Sequence, residues 1–151
     1  MFKSINPATE EVIKSYDEMN PGEIEEIVSS ADKAFSEWRM SSFSERSMKM
    51  KKAGEVLRKN LKQYARLMTE EMGKPILQSR SEVEKCAWVC DYFAENGEEF
   101  LKDIITGSDA SKSFVTFQPL GVILAIMPWN FPFWQVFRFA VHLFLRLFLR
   151  S

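Results

Sequence analysis

Histidine is nearly missing from this chain: His142 is the only one in 151 residues. Cysteine occurs twice, as Cys86 and Cys90, with no second pair to match them. Their spacing of four on a helical stretch would suit two metal ligands, but a metal site needs further partners, so burial on an apolar face is the better reading. Two cysteines also give no disulfide framework and point to reduced thiols. Glycine is sparse and Gly121 stands alone, which leaves no phosphate-binding loop. The start of the chain runs from Met1-Phe2-Lys3 straight into polar sequence, without the apolar core of a signal peptide. The expectation is therefore cytoplasmic residence. Acidic residues are absent from 113–151, which hold three Arg. Residues 1–112 carry 17 Lys and Arg against all 21 Asp and Glu. A net charge of −1 gives no footing for general nucleic-acid binding. No internal repeat and no long linker divides the chain.

What is present is mostly helical pattern. Ser4–Tyr16 reads as two short strands around a Pro-Ala-Thr-Glu turn, with Val12 and Ile13 in the second. Asn20-Pro21-Gly22-Glu23 opens a helix to about Arg39, with a capping residue, a proline at the first turn and a capping-box acid. Ile24, Ile27, Val28, Ala31, Phe35 and Trp38 recur on it at helical spacing, which predicts one buried stripe. Ser42-x-x-Glu45 offers a second capping box for a helical stretch ending at Gly73, with a break expected near residue 60. A third helix is predicted over about Ile76–Leu101. Val83, Ala87, Cys90, Ala94 and Gly97 form its stripe, widened by Trp88, Phe93 and Phe100. Ser113–Gln118 then reads as a strand.

The chain is organised around Pro119–Ala140. Val122–Ile126 is a short apolar run entered through Gly121 and stopped by Pro128, suited to a strand buried on both faces, with a core helix segment as the competing reading. Met127-Pro128-Trp129-Asn130-Phe131-Pro132 follows as a tight loop before another helical stretch. Open α/β sheets bind ligands at such places, beyond the carboxyl ends of their strands. That loop resembles the Pro-Trp-Asn-Phe-Pro motif of the aldehyde dehydrogenase superfamily. Ile5-Asn6-Pro7-Ala8-Thr9, Glu70-Glu71-Met72-Gly73-Lys74-Pro75 and Phe139-Ala140 are similar to its succinate-semialdehyde dehydrogenase branch, and the likeness covers roughly residues 4–140.

The resemblance implies an α/β fold, here truncated to the N-terminal helices and the first strand of the cofactor-binding sheet. It implies NAD or NADP as cofactor, with Ile126, Met127, Pro128 and Trp129 lining its cleft. It gives Asn130 a catalytic role: an amide N–H aimed at the oxygen that gains charge in a thiohemiacetal, worth roughly 3–4 kcal/mol in comparable sites. The alternative is that Asn130 caps the helix starting near Pro132. Arg138 and Phe131 are implied at the substrate, with Arg138 holding a distal carboxylate. Phe137 and Phe139 beside it suggest partial burial, against the alternative of a solvated Arg. The family's nucleophilic Cys in a Gly-Gln-x-Cys context, its general-base Glu and its ribose-binding Lys have no counterpart in these residues. The expectation is thus the N-terminal piece of a dehydrogenase, inactive alone. The other class is a non-catalytic protein associating with a full-length homologue or with like copies. No metal, nucleic-acid or membrane partner is expected.

Residues 141–151 change character, with Leu-Phe-Leu-Arg twice in succession over 143–150. Residues 1–140 are therefore expected to be the family's N-terminal part, and 141–151 a tail from a frameshift or early stop, against the alternative of a genuine C-terminal helix. On a helix, Arg138, His142, Arg146 and Arg150 would drift by only about 40° per step and form a basic stripe. Leu143, Phe144, Leu145, Leu147, Phe148 and Leu149 are expected to be exposed.

Overall fold

A hairpin comes first in the computed structural model, which describes residues 1–146. Strands β1 (Phe2–Ile5) and β2 (Val12–Tyr16) pair antiparallel, with a register shift between Ser4 and Ile5. The turn is loose, as its lack of glycine predicts: Asn6 N–H donates to Glu11 O at 2.9 Å and Glu10 N–H to Asn6 O at 2.8 Å. Glu10 adopts φ 62°, a left-handed conformation that a side chain rarely takes. Ser4 Oγ donates to Glu71 Oε1 at 2.7 Å and ties the hairpin to the helices.

Helix α1 (Pro21–Trp38) starts at the Asn20/Glu23 capping box, with Glu23 N–H on the Asn20 side chain at 3.0 Å and Asn20 N–H on Glu23 Oε2 at 2.7 Å. Its predicted buried stripe is not buried. Ile24, Ile27 and Val28 are exposed, while Ala31, Phe35 and Trp38 are only half-covered. Trp38 Nε1 donates to Phe144 O at 3.3 Å, and Lys49 Nζ of the next helix lies 4.7 Å from the Trp38 ring, so α1 is held mainly at its C-terminal end. Three helices sharing one core is therefore the wrong picture for α1.

Helices α2 (Phe43–Lys59) and α3 (Leu61–Met72) are divided by Asn60 at φ −103°, ψ 15°, where the break was expected. Ser42 and Glu45 box the start of α2, and the Ser42 backbone N–H is the main influence holding the Glu45 carboxyl below its usual range. Gly73 ends α3 at φ 71°. Helix α4 (Ile76–Phe100) is the centre. Val83, Cys86, Ala87, Cys90, Ala94 and Gly97 are buried on it, although Trp88 and Phe100 lie exposed, contrary to their assignment to the apolar face. The α2–α4 contact is close because position 54 has no side chain: a Cβ on Gly54 would lie 3.2 Å from Ala87 O and 3.1 Å from Asp91 Oδ1. Ser47 Oγ donates to Ala94 O at 2.6 Å, and Arg58 pairs with Asp91 along the same seam.

Beyond α4 the predicted strands shrink. Ser113–Gln118 yields only β4 (Phe114–Val115), paired antiparallel with an unpredicted β3 (Ile104–Ile105). Val122–Ile126 forms no strand among the described residues. Leu124 and Ile126 are 85% and 88% exposed, so the expected burial on both faces does not occur. A strand is defined by hydrogen bonds to a neighbour, and here no described segment lies alongside to supply them.

Helix α5 (Pro132–Arg146) packs on α4. Phe133 meets Tyr64 at 5.2 Å between ring centroids, and His142 stands edge-on to Phe93 at 4.2 Å. Val141, the first residue of the 141–151 segment, is buried in the core with Val83 and Cys90. Leu143 is half-covered and Phe144 is exposed, its ring edge-on to Trp38 at 5.9 Å. The side chains of Leu145 and Arg146, and all of Leu147–Ser151, lie outside what is described. Fully burying one Val, Leu or Phe contributes about 1.5–3 kcal/mol, so the α2–α5 cluster dominates stability.

Candidate functional site

The loop Met127–Phe131 is held in place by what happens at the first turn of α5. Pro132 opens that helix and has no N–H to satisfy. Gln135 N–H donates to Phe131 O at 2.9 Å, which makes Phe131 the residue at the cap position, and its side chain has no acceptor. The free amides of Phe133 and Trp134 are instead taken by Glu82 Oε1 of α4, at 3.0 and 2.9 Å. The second oxygen of Glu82 pairs with Lys74 Nζ, and these two side chains are 3% and 6% exposed. A buried carboxylate is tolerated here because it faces both an ammonium and the positive end of a helix dipole.

Lys74 closes the arrangement. Its Nζ donates to Asn130 O at 3.4 Å and stands 3.8 Å from the centroid of the Phe131 ring. Lys85 Nζ lies at the same distance from the Trp134 ring. A hollow of about 450 Å³ opens beside the pair, lined by Lys74, Gln78, Lys85, Phe131 and Trp134 among others.

Asn130 is exposed, and its side chain makes no hydrogen bond among the described residues. It does not cap α5, since Glu82 holds the amides that a cap would take. Ile126, Pro128 and Trp129 are exposed and Met127 is half-covered, so these four present an open, largely apolar edge. Phe131 is exposed, with Lys74 Nζ over its ring. Arg138 departs from expectation: it is exposed, while Phe137 and Phe139 are half-covered. Adjacent helical residues point about 100° apart, so apolar neighbours in sequence do not imply burial. Arg138 borders a hollow of about 470 Å³ with Met127, Gln135, Phe139, His142 and Leu143. Asn130 does not line that hollow, so the two residues are not brought into one cavity here.

Cys86 and Cys90 are both buried, and burial pushes each thiol up to about 12, with Glu82 adding to the effect at Cys86 and Asp91 at Cys90. Such thiols are the reverse of an activated nucleophile. Among the described residues no three metal-ligating side chains converge.

Lys74 and Glu82 were not foreseen from the sequence. The signal was available, because Ser79, Glu82 and Cys86 follow one another at helical spacing on the stripe of Val83 and Cys90. A carboxylate on a buried stripe needs a cation, and Lys74 lies just before the helix.

The sequence matches the family described as "Aldehyde dehydrogenase family" over residues 1–144. It is 46% identical over 137 residues to a Synechocystis protein named "Probable succinate-semialdehyde dehydrogenase [NADP(+)]", covering 91% of this chain and 30% of that one. It is 42% identical over 142 residues to an Escherichia coli "Succinate semialdehyde dehydrogenase [NAD(P)+] Sad", covering 94% and 31%. The structure is similar, at TM-score 0.91 and 32% identity, to succinic semialdehyde dehydrogenase from Streptococcus pyogenes in complex with NADP+, covering 96% of this chain and 32% of that chain. The chain thus spans about 30% of the length of the curated relatives it matches.

Proposed function

This chain belongs to the aldehyde dehydrogenase family, and we propose that it is the N-terminal part of an NAD(P)-dependent enzyme oxidising succinate semialdehyde, or an aldehyde like it, to the acid. The observation that carries this reading is the state of the Pro-Trp-Asn-Phe-Pro loop. It is fixed at the head of α5 while the Asn130 amide stays uncommitted, because Glu82 does the capping. An amide held without a partner costs little to aim at a substrate oxygen as that oxygen gains negative charge. The nicotinamide group, when bound, supplies hydride acceptance. Ile126, Met127, Pro128 and Trp129 fit its apolar faces, being open and mostly apolar. The first amides of α5 are not free for its phosphates, since they already donate to Glu82. Arg138, exposed and free to reach outward, is the group proposed to meet the distal carboxylate, and Phe131 to border the substrate.

Neither cysteine is suited to attack an aldehyde, so the 151-residue chain is expected to show no turnover by itself. The test joins residues 1–140 to the remainder of the Synechocystis relative. NADP+ reduction with succinate semialdehyde is expected from the chimera and not from the chain alone. A folded chimera without activity would sink the reading, and turnover by the lone chain would overturn the claim of inactivity.

A second reading is favoured by one observation. An apolar hollow of about 600 Å³ runs between α1, residues 121–127 and α5, lined by Phe35, Trp38, Val122, Ile123, Val136 and Phe139 among others. Together with the unpaired run at Val122–Ile126 it suits association with a full-length homologue or with like copies. Co-purification with a homologue supports this; monomeric light scattering at high concentration counts against it. Residence in the cytoplasm belongs to both readings and is supported by two thiols kept apart from any disulfide. Among the described residues no helix is long and apolar enough to cross a membrane.

A further inference from the structure

We propose that Glu82 and Lys74 are positioning residues for Asn130, acting together as a buried clasp that sets the loop without touching substrate. The inference rests on the reading of Asn130 given above and deepens it. Most helices beginning after a loop are capped by a side chain of that loop, and Asn is among the best residues for it. Had Asn130 done so, its amide group would be turned toward its own helix. Here the cap comes from another helix, through Glu82 Oε1 on the Phe133 and Trp134 amides. Asn130 is therefore relieved of local duty, and its side chain stays exposed.

The clasp also holds the loop at Asn130 and just beyond it. Lys74 Nζ reaches the Asn130 carbonyl at 3.4 Å and stands 3.8 Å from the ring of the next residue, Phe131. Both charges come from α4 or the turn just before it, so the loop is referenced to the most buried helix in the molecule. Neither residue would be tolerated alone. Removing one leaves an uncompensated buried charge, which is why the decisive variant changes both.

Amide exchange on the intact 151-residue chain is the first test. Glu82→Ala should speed exchange at Phe133 and Trp134 by roughly tenfold or more beyond the general loss of protection that the stranded Lys74 charge causes in α2 and α3, the effect of losing bonds to a charged acceptor. The Lys74→Met, Glu82→Gln double variant leaves no charge behind and keeps a neutral acceptor for the amides, so Phe133 and Trp134 should exchange at rates between those of the wild type and Glu82→Ala. Equal protection in the wild type and both variants would overturn the clasp. The second test uses the chimera described above. The double variant should lose roughly ten- to a hundredfold in kcat with KM moving less than about twofold, since a misplaced amide fails chiefly in the transition state. An unchanged kcat in an active chimera overturns the positioning role. An inactive wild-type chimera would instead sink the reading of Asn130, and exchange would still decide whether the pair holds the loop.

Discussion

Two regions of this molecule spend similar apolar sequence in opposite ways. Along α4, Val83, Ala87, Cys90 and Ala94 are all buried against α2, α3 and α5. Along α1 and residues 120–129, Ile24, Ile27, Val28, Leu120, Leu124, Ile126 and Trp129 are exposed. Periodicity alone does not separate the two, since α1 carries a regular stripe and 122–126 an unbroken apolar run. What separates them is whether a partner surface is folded alongside. The bundle covers its own apolar side chains, whereas in the other region no described segment covers them.

The largest effect that could break this contrast comes from placing a charge in each region. Val83→Asp should remove most of the helical circular dichroism at room temperature, since an unpaired buried charge falls in the class above about 4 kcal/mol. Leu124→Asp should change the unfolding free energy by no more than about 0.5 kcal/mol and reduce self-association. Equal losses from both would mean that the 120–129 region is packed after all.

A smaller effect concerns the thiols. Cys86 and Cys90 ordinarily titrate near 9.0 and are pushed up to about 12 in the folded chain. The folded state therefore keeps its protons where the unfolded state has released them. The thiols' contribution to stability is full below pH 9 and is lost as pH rises toward about 12. Urea melts at pH 7, 9 and 10.5 should show falling midpoints, and the Cys86→Ala, Cys90→Ala double variant should flatten that slope. Alkylation at pH 8 should require denaturant; rapid labelling of the native chain would show the bundle to be looser than its burial implies.

The smallest effect is outside both regions. Glu10→Gly relieves a left-handed residue at φ 62° in the hairpin turn and should add about 0.5–1 kcal/mol. If the melt does not shift, the hairpin unfolds independently of the bundle, and stability resides in α2–α5 alone.

Legibility followed the range of the interaction. The capping boxes at Asn20 and Ser42, the break at Asn60, the left-handed stop at Gly73 and the stripe of α4 were all readable, because each is decided within a few residues. The motif at 127–132 was readable as a resemblance. The Val122–Ile126 strand failed because pairing is a property of two segments and no described segment pairs with this one. The burial of Arg138 failed because its neighbours face elsewhere on the helix. Lys74 and Glu82 were missed since their roles join residues 8 apart to a loop some 50 residues further on.

The central place of α4 also has a bearing on the order of assembly during synthesis. Its contacts with α2 and α3 join residues that lie within about sixty positions, so that sub-bundle can condense from sequence already made while later residues are still being added. Lys74 and Glu82 would then be waiting as a finished receptor when Pro132 emerges. The first turn of α5, instead of nucleating unaided at the usual entropic disadvantage, would form on a template that already offers its amides an acceptor.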